Sequence, residues 1–385
     1  MIKLKVFFRC YNKLLNDKLS LKLFFNLHQK YFNKLTSFVF SILHKPILLV
    51  ISLLYRTFVL LRLHAYKKGW FKTFRPNTPV ISVGNLIVGG TGKTPVVDLL
   101  SRELQSRNFK PAVLSRGYGR KNNKIQKRLR FCENSHSDPE FFGDEPYMLA
   151  MRNPEIPIYV DSSRIAAANS AEKNDNPDIL VLDDAFQHLA IHRDLNLLLI
   201  DSERGLGNGN LIPYGVLREP AIQWKRADAI IITKANISST NKIYEILKND
   251  LKVSIPVFNF NFEAKFFCSL DGKNRKNIKH LAGKNLVTLS GIAQPDVFRK
   301  MLENLKGNII SNIEYADHHN YNNNDVKKIL KKKDEIKPDY IITTEKDAVK
   351  LRPFSELNNY VWILEIEVRP DKSWNTFFES FLESL

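Results

Sequence analysis

The chain has 385 residues and a formal net charge of +18, with 58 Lys and Arg residues against 40 Asp and Glu. This length predicts two domains or one domain with an extension, and 44% hydrophobic residues are enough for a packed α/β core. Three distant cysteines (Cys10, Cys132 and Cys268) argue against a disulfide framework and a cysteine metal site, and they indicate reduced thiols in a cytoplasmic setting.

The positive charge is concentrated in residues 1–70, which hold thirteen Lys and Arg residues and a single acid, Asp17. Apolar residues recur there at helical spacing opposite lysines: Leu21, Phe24, Phe25, Phe32, Leu35, Val39 and Ile42 against Lys18, Lys22 and Lys30. This pattern predicts a basic amphipathic helix that lies on an anionic membrane surface.

After Pro46, residues 47–63 predict a more apolar helix that is broken by Arg56 and Arg62 and is short for a membrane span. No small-residue cleavage site follows, which argues against a signal peptide. We therefore expect residues 1–70 to dock at the membrane interface. A spanning helix and a soluble helix that binds a partner are the alternatives.

Residues 79–98 contain a phosphate-binding pattern. An apolar strand around Val80 and Val83 leads into a glycine-rich turn, and Gly92-Lys93-Thr94 opens a helical pattern. The backbone N–H groups and Lys93 would bind nucleotide phosphates, and Thr94 would bind Mg²⁺. The predicted nucleotide-binding residues are Val88, Gly89, Gly90, Thr91, Gly92, Lys93, Thr94 and Pro95.

This P-loop departs from the usual spacing, because Ile87 stands where a glycine is normally found five residues before Gly92. The turn is therefore predicted to be wider than usual. The alternative is a glycine-rich turn that binds nothing, but the correctly placed lysine and threonine favour a nucleotide.

A second signal is Asp178-Ile-Leu-Val-Leu-Asp183-Asp184, an apolar strand that ends in two acids. This is the Walker B pattern, which predicts that Asp183 and Asp184 hold Mg²⁺ beside Thr94. The alternative is that the two acids are solvated turn residues. Further on, Arg218 is expected either to reach phosphate oxygens or to form a surface ion pair with Glu219.

The order of elements predicts the fold class. Strands and helices alternate from residue 79 to residue 234, which indicates a P-loop NTPase-type doubly wound parallel sheet with ligands at the carboxyl ends of the strands. Residues 121–130 are polar and basic and predict an exposed loop. Residues 257–267 alternate like an antiparallel strand. The predicted regions are 1–70, membrane-associated helices; 71–257, the P-loop kinase domain; and 258–385, a smaller α/β domain.

The segment Thr233-Lys234-Ala235-Asn236 bears on the nucleotide base. A guanine-reading loop of this type needs a carboxylate at the fourth position, where this chain has an amide. The sequence thus argues against the main rival, a membrane-targeting GTPase switch, and favours adenine. A lipid-binding adaptor with an inactive P-loop is disfavoured by the intact Lys93 and Thr94.

These motifs together resemble the tetraacyldisaccharide 4′-kinases, the lipid A 4′-kinase family. They run in family order from residue 47 to residue 350, so residues 1–45 have no counterpart. The matching segments are Ser82-Val-Gly-Asn85, Gly89-Gly-Thr-Gly-Lys-Thr-Pro95, Leu114-Ser-Arg-Gly-Tyr-Gly-Arg120, Gly143-Asp-Glu-Pro146, Asp183-Asp-Ala-Phe-Gln-His188, Leu217-Arg-Glu-Pro220, Asp317-His-His319 and Thr343-Thr-Glu-Lys-Asp-Ala348.

The resemblance implies transfer of the γ-phosphoryl group of ATP, with Mg²⁺, to the 4′-hydroxyl of an acylated glucosamine disaccharide 1-phosphate. It places the enzyme at the cytoplasmic face of a Gram-negative inner membrane, as a peripheral or monotopic protein. By resemblance, Asp144 with His318 and His319 activates the sugar hydroxyl, Lys93 and Thr94 hold phosphates and Mg²⁺, and Asp183 and Asp184 serve the metal. An anionic membrane surface is the expected partner, and no nucleic acid is expected.

Overall fold

The computed structural model describes residues 45–117, 120, 127–129 and 139–385. The predicted amphipathic helix over residues 18–42 lies outside these residues, as do Cys10 and Cys132. The helices described are α1 (Lys45–Lys67), α2 (Lys93–Ser106), α3 (Pro139–Phe142), α4 (Asp144–Arg152), α5 (Arg164–Asp175), α6 (Asn241–Glu245), α7 (Pro295–Asn304), α8 (Asn323–Ile336), α9 (Glu345–Leu351) and α10 (Lys372–Glu383).

The strands are β1 (Val80–Asn85), β2 (Pro111–Ser115), β3 (Lys127–Leu129), β4 (Ile158–Val160), β5 (Ile179–Asp183), β6 (Leu195–Asp201), β7 (Ala229–Thr233), β8 (Val257–Ser269), β9 (Arg275–Lys276), β10 (Asn285–Ser290), β11 (Asn308–Glu314), β12 (Tyr340–Thr344) and β13 (Val361–Pro370). Short 3-10 turns cover Ala221–Arg226, Ile278–Leu281 and Ser355–Leu357, and a π turn over Ile246–Asp250 continues α6.

These strands form one sheet in the order β11-β10-β12-β13-β8-β7-β6-β1-β5-β2-β4-β3, with β9 paired to β8. From β8 to β4 all neighbours are parallel. β1, β5 and β6 are buried along their whole length, as strands covered on both faces should be. The predicted doubly wound P-loop fold is confirmed, and the end of β1 lies at the point where strand order reverses, which favours a ligand there.

A two-stranded ribbon connects the two parts of the sheet. β8 pairs parallel with β7 over residues 257–260, and β13 pairs with β12 over residues 361–364. Between these stretches, residues 261–264 of β8 pair antiparallel with residues 366–369 of β13, and no third strand of the described sheet joins them. A register shift follows at Glu365/Ile366. The predicted antiparallel connecting strand is therefore present as β8.

The last helix packs on the first part of the chain. In α10, Trp374 and Phe378 are fully buried in a core shared with Val96 and Leu100 of α2. The Trp374 indole donates to Glu103 Oε2 at 3.3 Å. The predicted division into 71–257 and 258–385 remains a prediction, and this packing leads us to propose that the smaller unit ends near residue 370.

Two local predictions were wrong. The segment 121–130 was expected to be an exposed loop, but Lys127–Leu129 form β3, which pairs antiparallel with β4 and buries Leu129. The apolar helix expected over residues 47–63 is a continuous helix of 23 residues, long and apolar enough to cross a membrane by length and composition. Arg56 and Arg62 do not break it: Arg56 is exposed, and Arg62 is bonded to the protein through the Gln187 carbonyl.

Helix α1 lies against the carboxyl edge of the sheet. Ser52 donates to the Leu211 carbonyl at 2.8 Å, Tyr55 to the Arg218 carbonyl at 3.0 Å, and Arg62 to the Gln187 carbonyl at 3.0 Å. Its other side exposes a row of large apolar residues, of which Phe58 is 68% exposed. One side of α1 is thus held by the protein, and the other is free of it.

Candidate active site

The P-loop follows β1 and leads into α2. Gly92 has φ 76° at the helix N-cap, and Gly89 has φ 93° within the loop. A Cβ at Gly92 would come within 2.6 Å of the Phe262 ring, and one at Gly89 within 2.5 Å of Arg204 Nη1. Both positions therefore need glycine for backbone conformation, and Gly92 also needs it for space. The loop leaves the N-terminus of α2 open to an anion.

Polar side chains behind the loop fix its shape. Asn85, at the end of β1, donates to Thr91 Oγ1 at 2.8 Å, and Thr233 donates to the Thr91 carbonyl at 2.9 Å. Lys93 Nζ donates to Asn85 Oδ1 at 3.5 Å. Lys93 is thus held over the loop, in reach of a phosphate group placed there. Reasoning from the sequence did not assign this role to Asn85, which carries no charge and lies outside the glycine-rich turn.

Asp183 ends β5 directly beside β1, with Val83 as its strand partner. It is buried, and its pKa is raised to about 7 by that burial and by the nearby Glu145 and Asp184 carboxylates. Ser115 donates to its Oδ2 at 3.4 Å, whereas its buried Oδ1 has no hydrogen-bond partner. A buried carboxylate oxygen without a partner fits a cation.

Asp184 adopts a left-handed conformation with φ 51° and lies between two cations. Arg218 Nη1 donates to its two oxygens at 3.0 and 3.1 Å, and Lys93 Nζ is 3.4 Å from Oδ1. Burial alone would raise its pKa, but Lys93 and Arg218 outweigh burial and hold the pKa below the usual value. Arg218 therefore points into the cleft, and the ion pair with Glu219 is formed by Arg226 instead and is buried on the Glu219 side.

The predicted catalytic pair comes together from distant parts of the chain. Asp144 was expected on a loop, but it is the first residue of α4 after Gly143. Its Oδ2 lies 3.2 Å from His318 Nδ1 and 2.8 Å from Lys350 Nζ. Burial alone would raise the pKa of Asp144, but these two contacts outweigh burial and lower it. Asp144 is thus ionised at neutral pH.

The two neighbouring histidines lie in different surroundings. His318 lines the cavity, and its Nε2 is 3.0 Å from Lys346 Nζ. His319 is not among the residues lining that cavity; its Nε2 is 2.9 Å from Asp325 Oδ2, and its ring stacks on Tyr315 at 4.3 Å. The structure therefore brings His318, and not His319, to the predicted site.

Two further titratable residues that sequence reasoning did not assign, Lys346 and His188, also line the cleft. Lys346 is 3.2 Å from Asp317 and 3.5 Å from Glu145. His188 is buried, and its pKa is lowered to about 4 by that burial and by the Arg164 guanidinium. Both belong to segments that carried the family resemblance, but no general catalytic spacing identifies either residue.

A buried ion-pair network lies beneath the cleft. Arg152, at the end of α4, contacts Asp98 of α2 at 2.9 Å and Glu345 of α9 at 3.3 Å, and it also donates to the Ile366 carbonyl of β13. Asp98 also accepts from Asn153 at 2.8 Å. The pKa of Glu345 is raised to about 7, because burial outweighs the attraction of Arg152. One guanidinium thus joins the P-loop helix, the Asp144 helix and the second part of the sheet.

The Asn236 side chain, which argued against guanine, is engaged by protein backbone. The Asn236 side chain donates to the Phe262 carbonyl and accepts from the Phe262 amide, both at 2.9 Å. It is therefore bound to the backbone of β8 and cannot read a base. Its neighbour Lys234 pairs with Asp201 at 2.5 Å and with Gln294.

One cavity of about 1020 Å³ opens between the two parts of the sheet. It is lined by the P-loop, Asp183, Asp184, Arg218 and His318. Within the described residues no three His, Cys, Asp or Glu side chains form a metal-binding group by themselves. A magnesium site of one or two carboxylates completed by substrate phosphates does not need such a group. The cavity has the parts that phosphoryl transfer needs.

Comparison with known proteins identifies the family. A profile described as tetraacyldisaccharide-1-P 4′-kinase matches residues 44–383. The chain belongs to the tetraacyldisaccharide 4′-kinase family. It is 38% identical over 335 residues to the tetraacyldisaccharide 4′-kinase of Syntrophus aciditrophicus, covering 84% of this chain and 90% of that protein. The corresponding protein of Geobacter metallireducens is 36% identical over 341 residues, covering 87% and 98%.

A solved structure agrees. LpxK from Aquifex aeolicus in complex with ATP aligns with a TM-score of 0.71 at 29% identity, covering 88% of this chain and 98% of that one. The predicted resemblance is thus confirmed, and the chain is a kinase. The roles of individual residues remain predictions.

Proposed function

We propose that this cleft transfers the γ-phosphoryl group of ATP to the 4′-hydroxyl of a tetraacylated glucosamine disaccharide 1-phosphate, in lipid A biosynthesis. The kinase family supports the reaction. The observation that carries the assignment to this cleft is the meeting of the P-loop with the Asp144–His318 pair across one cavity. Because His318 comes from the second part of the sheet and the P-loop from the first, a bound nucleotide and an acceptor hydroxyl can be held between them.

The nucleotide is bound by its phosphates. The glycine loop and the N-terminus of α2 offer backbone N–H groups, and Lys93 adds a cation that neutralises charge on the transferred group. Arg218 is held by Asp184, so its guanidinium stays inside the cleft with further donors toward phosphate oxygens. Binding in this region is electrostatic, which suits a reaction that depends on positioning.

Thr94, Asp183 and Asp184 are the residues that would hold Mg²⁺. Thr94 is the second residue of α2, and Asp183 ends the neighbouring strand β5 with an unpartnered buried oxygen. The ion would neutralise charge shared by the β- and γ-phosphates. Burial of the charged Asp183 carboxylate costs free energy, as its raised pKa shows, and a bound cation would offset that cost.

The acceptor hydroxyl must lose its proton, and the Asp144–His318 pair is the base we propose. Asp144 is ionised and within 3.2 Å of His318, and of the two it is His318 that lines the cavity. The imidazole can therefore pass the proton from the sugar hydroxyl to the carboxylate, or orient the carboxylate for direct transfer once substrate is bound. Lys350 keeps the carboxylate charged, since it lies 2.8 Å from Oδ2.

Replacing Asp144 with asparagine tests this assignment. The amide keeps the shape but cannot accept the proton, so kcat should fall at least about 100-fold with little change in ATP affinity. His318→Gln should slow the reaction similarly, and His319→Gln should have an effect at least about tenfold smaller. The assay is phosphate transfer from labelled ATP to the disaccharide in detergent, with melting temperature as the folding control. A near-normal kcat for Asp144→Asn would remove the pair from the mechanism.

We propose further that α1 docks the enzyme on the cytoplasmic face of the inner membrane without spanning it. The exposed side of α1 is apolar and is followed by the exposed Lys67 and Lys68. The bonds from Ser52, Tyr55 and Arg62 extend over ten residues of the helix and would be lost if it crossed a bilayer alone. A helix with one side on protein and an apolar side on lipid is an interfacial helix.

Vesicle binding tests the docking. Leu54→Asp with Phe58→Asp should weaken binding to phosphatidylglycerol-containing vesicles at least about tenfold, because two apolar side chains leave the lipid. Ile310→Asp is the matched control, since Ile310 is an exposed apolar residue on the far edge strand β11. Equal binding by the double variant and the wild type would refute docking through α1.

A further inference from the structure

Helix α1 also touches the two loops that surround Asp184. The Tyr55 hydroxyl donates to the carbonyl of Arg218, and Arg62 Nη2 donates to the carbonyl of Gln187, each at 3.0 Å. Tyr55 and Arg62 are seven residues apart, so both lie on the same side of the helix. That side faces the cleft, since both residues line the cavity.

Of the two residues that α1 holds, Arg218 binds the Asp184 carboxylate, and Gln187 contacts Arg218. Arg218 Nη1 binds both oxygens of Asp184 and lies 3.4 Å from Gln187 Oε1. Gln187 Nε2 in turn donates to the Asn85 carbonyl at 3.0 Å, at the end of β1. Lys93 sits between Asp184 and Asn85. An unbroken set of contacts thus runs from α1 to the P-loop lysine.

This set of contacts stabilises the strained backbone conformation of Asp184. A non-glycine residue at φ 51° costs free energy, and the surrounding contacts must hold it. The Arg218 guanidinium binds Asp184 and is contacted by Gln187, so it can do so only if the backbones of Arg218 and Gln187 are fixed. The segment before Arg218 is irregular: β6 ends at Asp201, and the next regular element begins at Ala221. The Arg218 amide donates to the Leu86 carbonyl at 2.6 Å, and the Tyr55 hydroxyl fixes the other side of the same residue.

We propose that Tyr55 and Arg62 are positioning residues for phosphoryl transfer: α1 completes the frame that orients Arg218 and Gln187 around Asp184. This rests on the proposed kinase function. The helix that faces the lipid is thus part of the active site, and its two sides have separable tasks. The outer side sets membrane binding, and the inner side sets turnover.

The inner side is tested by removing single donors. Tyr55→Phe removes the hydroxyl alone and should lower kcat about fivefold, the value of one ordinary hydrogen bond. Arg62→Gln should lower kcat similarly, and the double variant at least about 20-fold. Arg62→Lys keeps a donor for a single carbonyl and should restore at least half of the wild-type kcat. The KM values for ATP and for the disaccharide should change less than about twofold in all of them.

Matched changes on the outer side serve as controls. Arg56 and Thr57 are exposed neighbours on the same helix, so Arg56→Gln and Thr57→Val should leave kcat unchanged. All variants are measured as the full chain in detergent, together with melting temperature and binding to vesicles of phosphatidylglycerol and phosphatidylethanolamine. The proposal expects vesicle binding by Tyr55→Phe and Arg62→Gln to equal that of the wild type.

Three results would overturn the proposal. Wild-type kcat in both inner variants would show that the contacts do not matter. A loss of kcat that only parallels a loss of vesicle binding would make α1 an anchor alone. A rise in the KM for the disaccharide with normal kcat would make Arg62 a substrate contact. If the wild type itself transfers no phosphate to the disaccharide, the proposed function fails instead.

Discussion

Replacing Arg152 with leucine should destabilise the protein strongly, by an amount that depends on pH. The guanidinium contacts Asp98, Glu345 and the Ile366 carbonyl, and its side chain is only 15% exposed. After the change, Asp98 keeps its contacts with Arg102 and Asn153, and Glu345 keeps the bond from the Ile366 amide. The main loss is therefore the cation that faces Glu345.

The size of the effect follows from burial. Removing one partner of a buried ion pair costs about 3–5 kcal/mol. Burial raises the pKa of Glu345 to about 7 although Arg152 is present, so loss of Arg152 raises it further. Above pH 7 the wild-type carboxylate is ionised and paired, whereas in the variant it must take a proton or stay unpaired. We expect a loss of roughly 4 kcal/mol at pH 8 and roughly 1 kcal/mol less at pH 6.

The assay is urea unfolding of the full chain at both pH values. Arg102→Leu is the matched control: Arg102 also contacts Asp98, at 2.8 Å, but it is 37% exposed, so its loss should cost less than about 1 kcal/mol. Adding Glu345→Gln to Arg152→Leu removes the unpaired charge and should recover at least about 1 kcal/mol at pH 8. A loss below about 1 kcal/mol for Arg152→Leu, or an equal loss at both pH values, would refute the reasoning.

Two more predictions follow. In Asp183→Asn, phosphoryl transfer should disappear while the metal-free protein becomes more stable at pH 8. The pKa of Asp183 is raised to about 7, so the folded state loses stability as pH rises from about 4 to 7 and this carboxyl group ionises. An asparagine amide does not ionise and avoids that loss. A melting temperature at pH 8 lower than that of the wild type would contradict the prediction. Asn236→Asp should not confer use of GTP, and it should destabilise the fold by about 1–3 kcal/mol, because a carboxylate cannot donate to the Phe262 carbonyl. GTP turnover comparable to ATP turnover would show that this residue reads the base.

Local patterns explain what could be predicted from the sequence. The P-loop and the Walker B strand are contiguous segments whose chemistry depends on neighbours in the chain, so Lys93, Thr94, Asp183 and Asp184 could be assigned by spacing. The parallel sheet followed from the alternation of apolar strands and helices. The cap of α5 could also be predicted, since Ser163 accepts from the Ala166 amide.

Other features depend on contacts between distant residues, which no local pattern records. Arg152 meets Glu345 across 193 positions of the chain, and α10 packs on α2 although its sequence would suit any apolar surface. The strand β3 was missed because Leu129 is its single residue seen to be fully buried, surrounded in sequence by lysine and arginine. The sequence also did not show that the Asn236 amide has a backbone partner on a strand 26 residues away.

The ribbon of β8 and β13 determines how the cleft can move. The chain passes between the two parts of the sheet through these two strands, and for four residues each they pair only with one another among the strands that the structure describes. Two-stranded ribbons tolerate the widest range of twist, so relative rotation of the two parts concentrates there as torsion. Phe262 of the ribbon lies against Gly92, and Arg152 is fastened at Ile366, beside the register shift. A change of twist in the β8–β13 ribbon would therefore also move residues that contact the P-loop. The same ribbon thus links the approach of His318 to the geometry of the phosphate site.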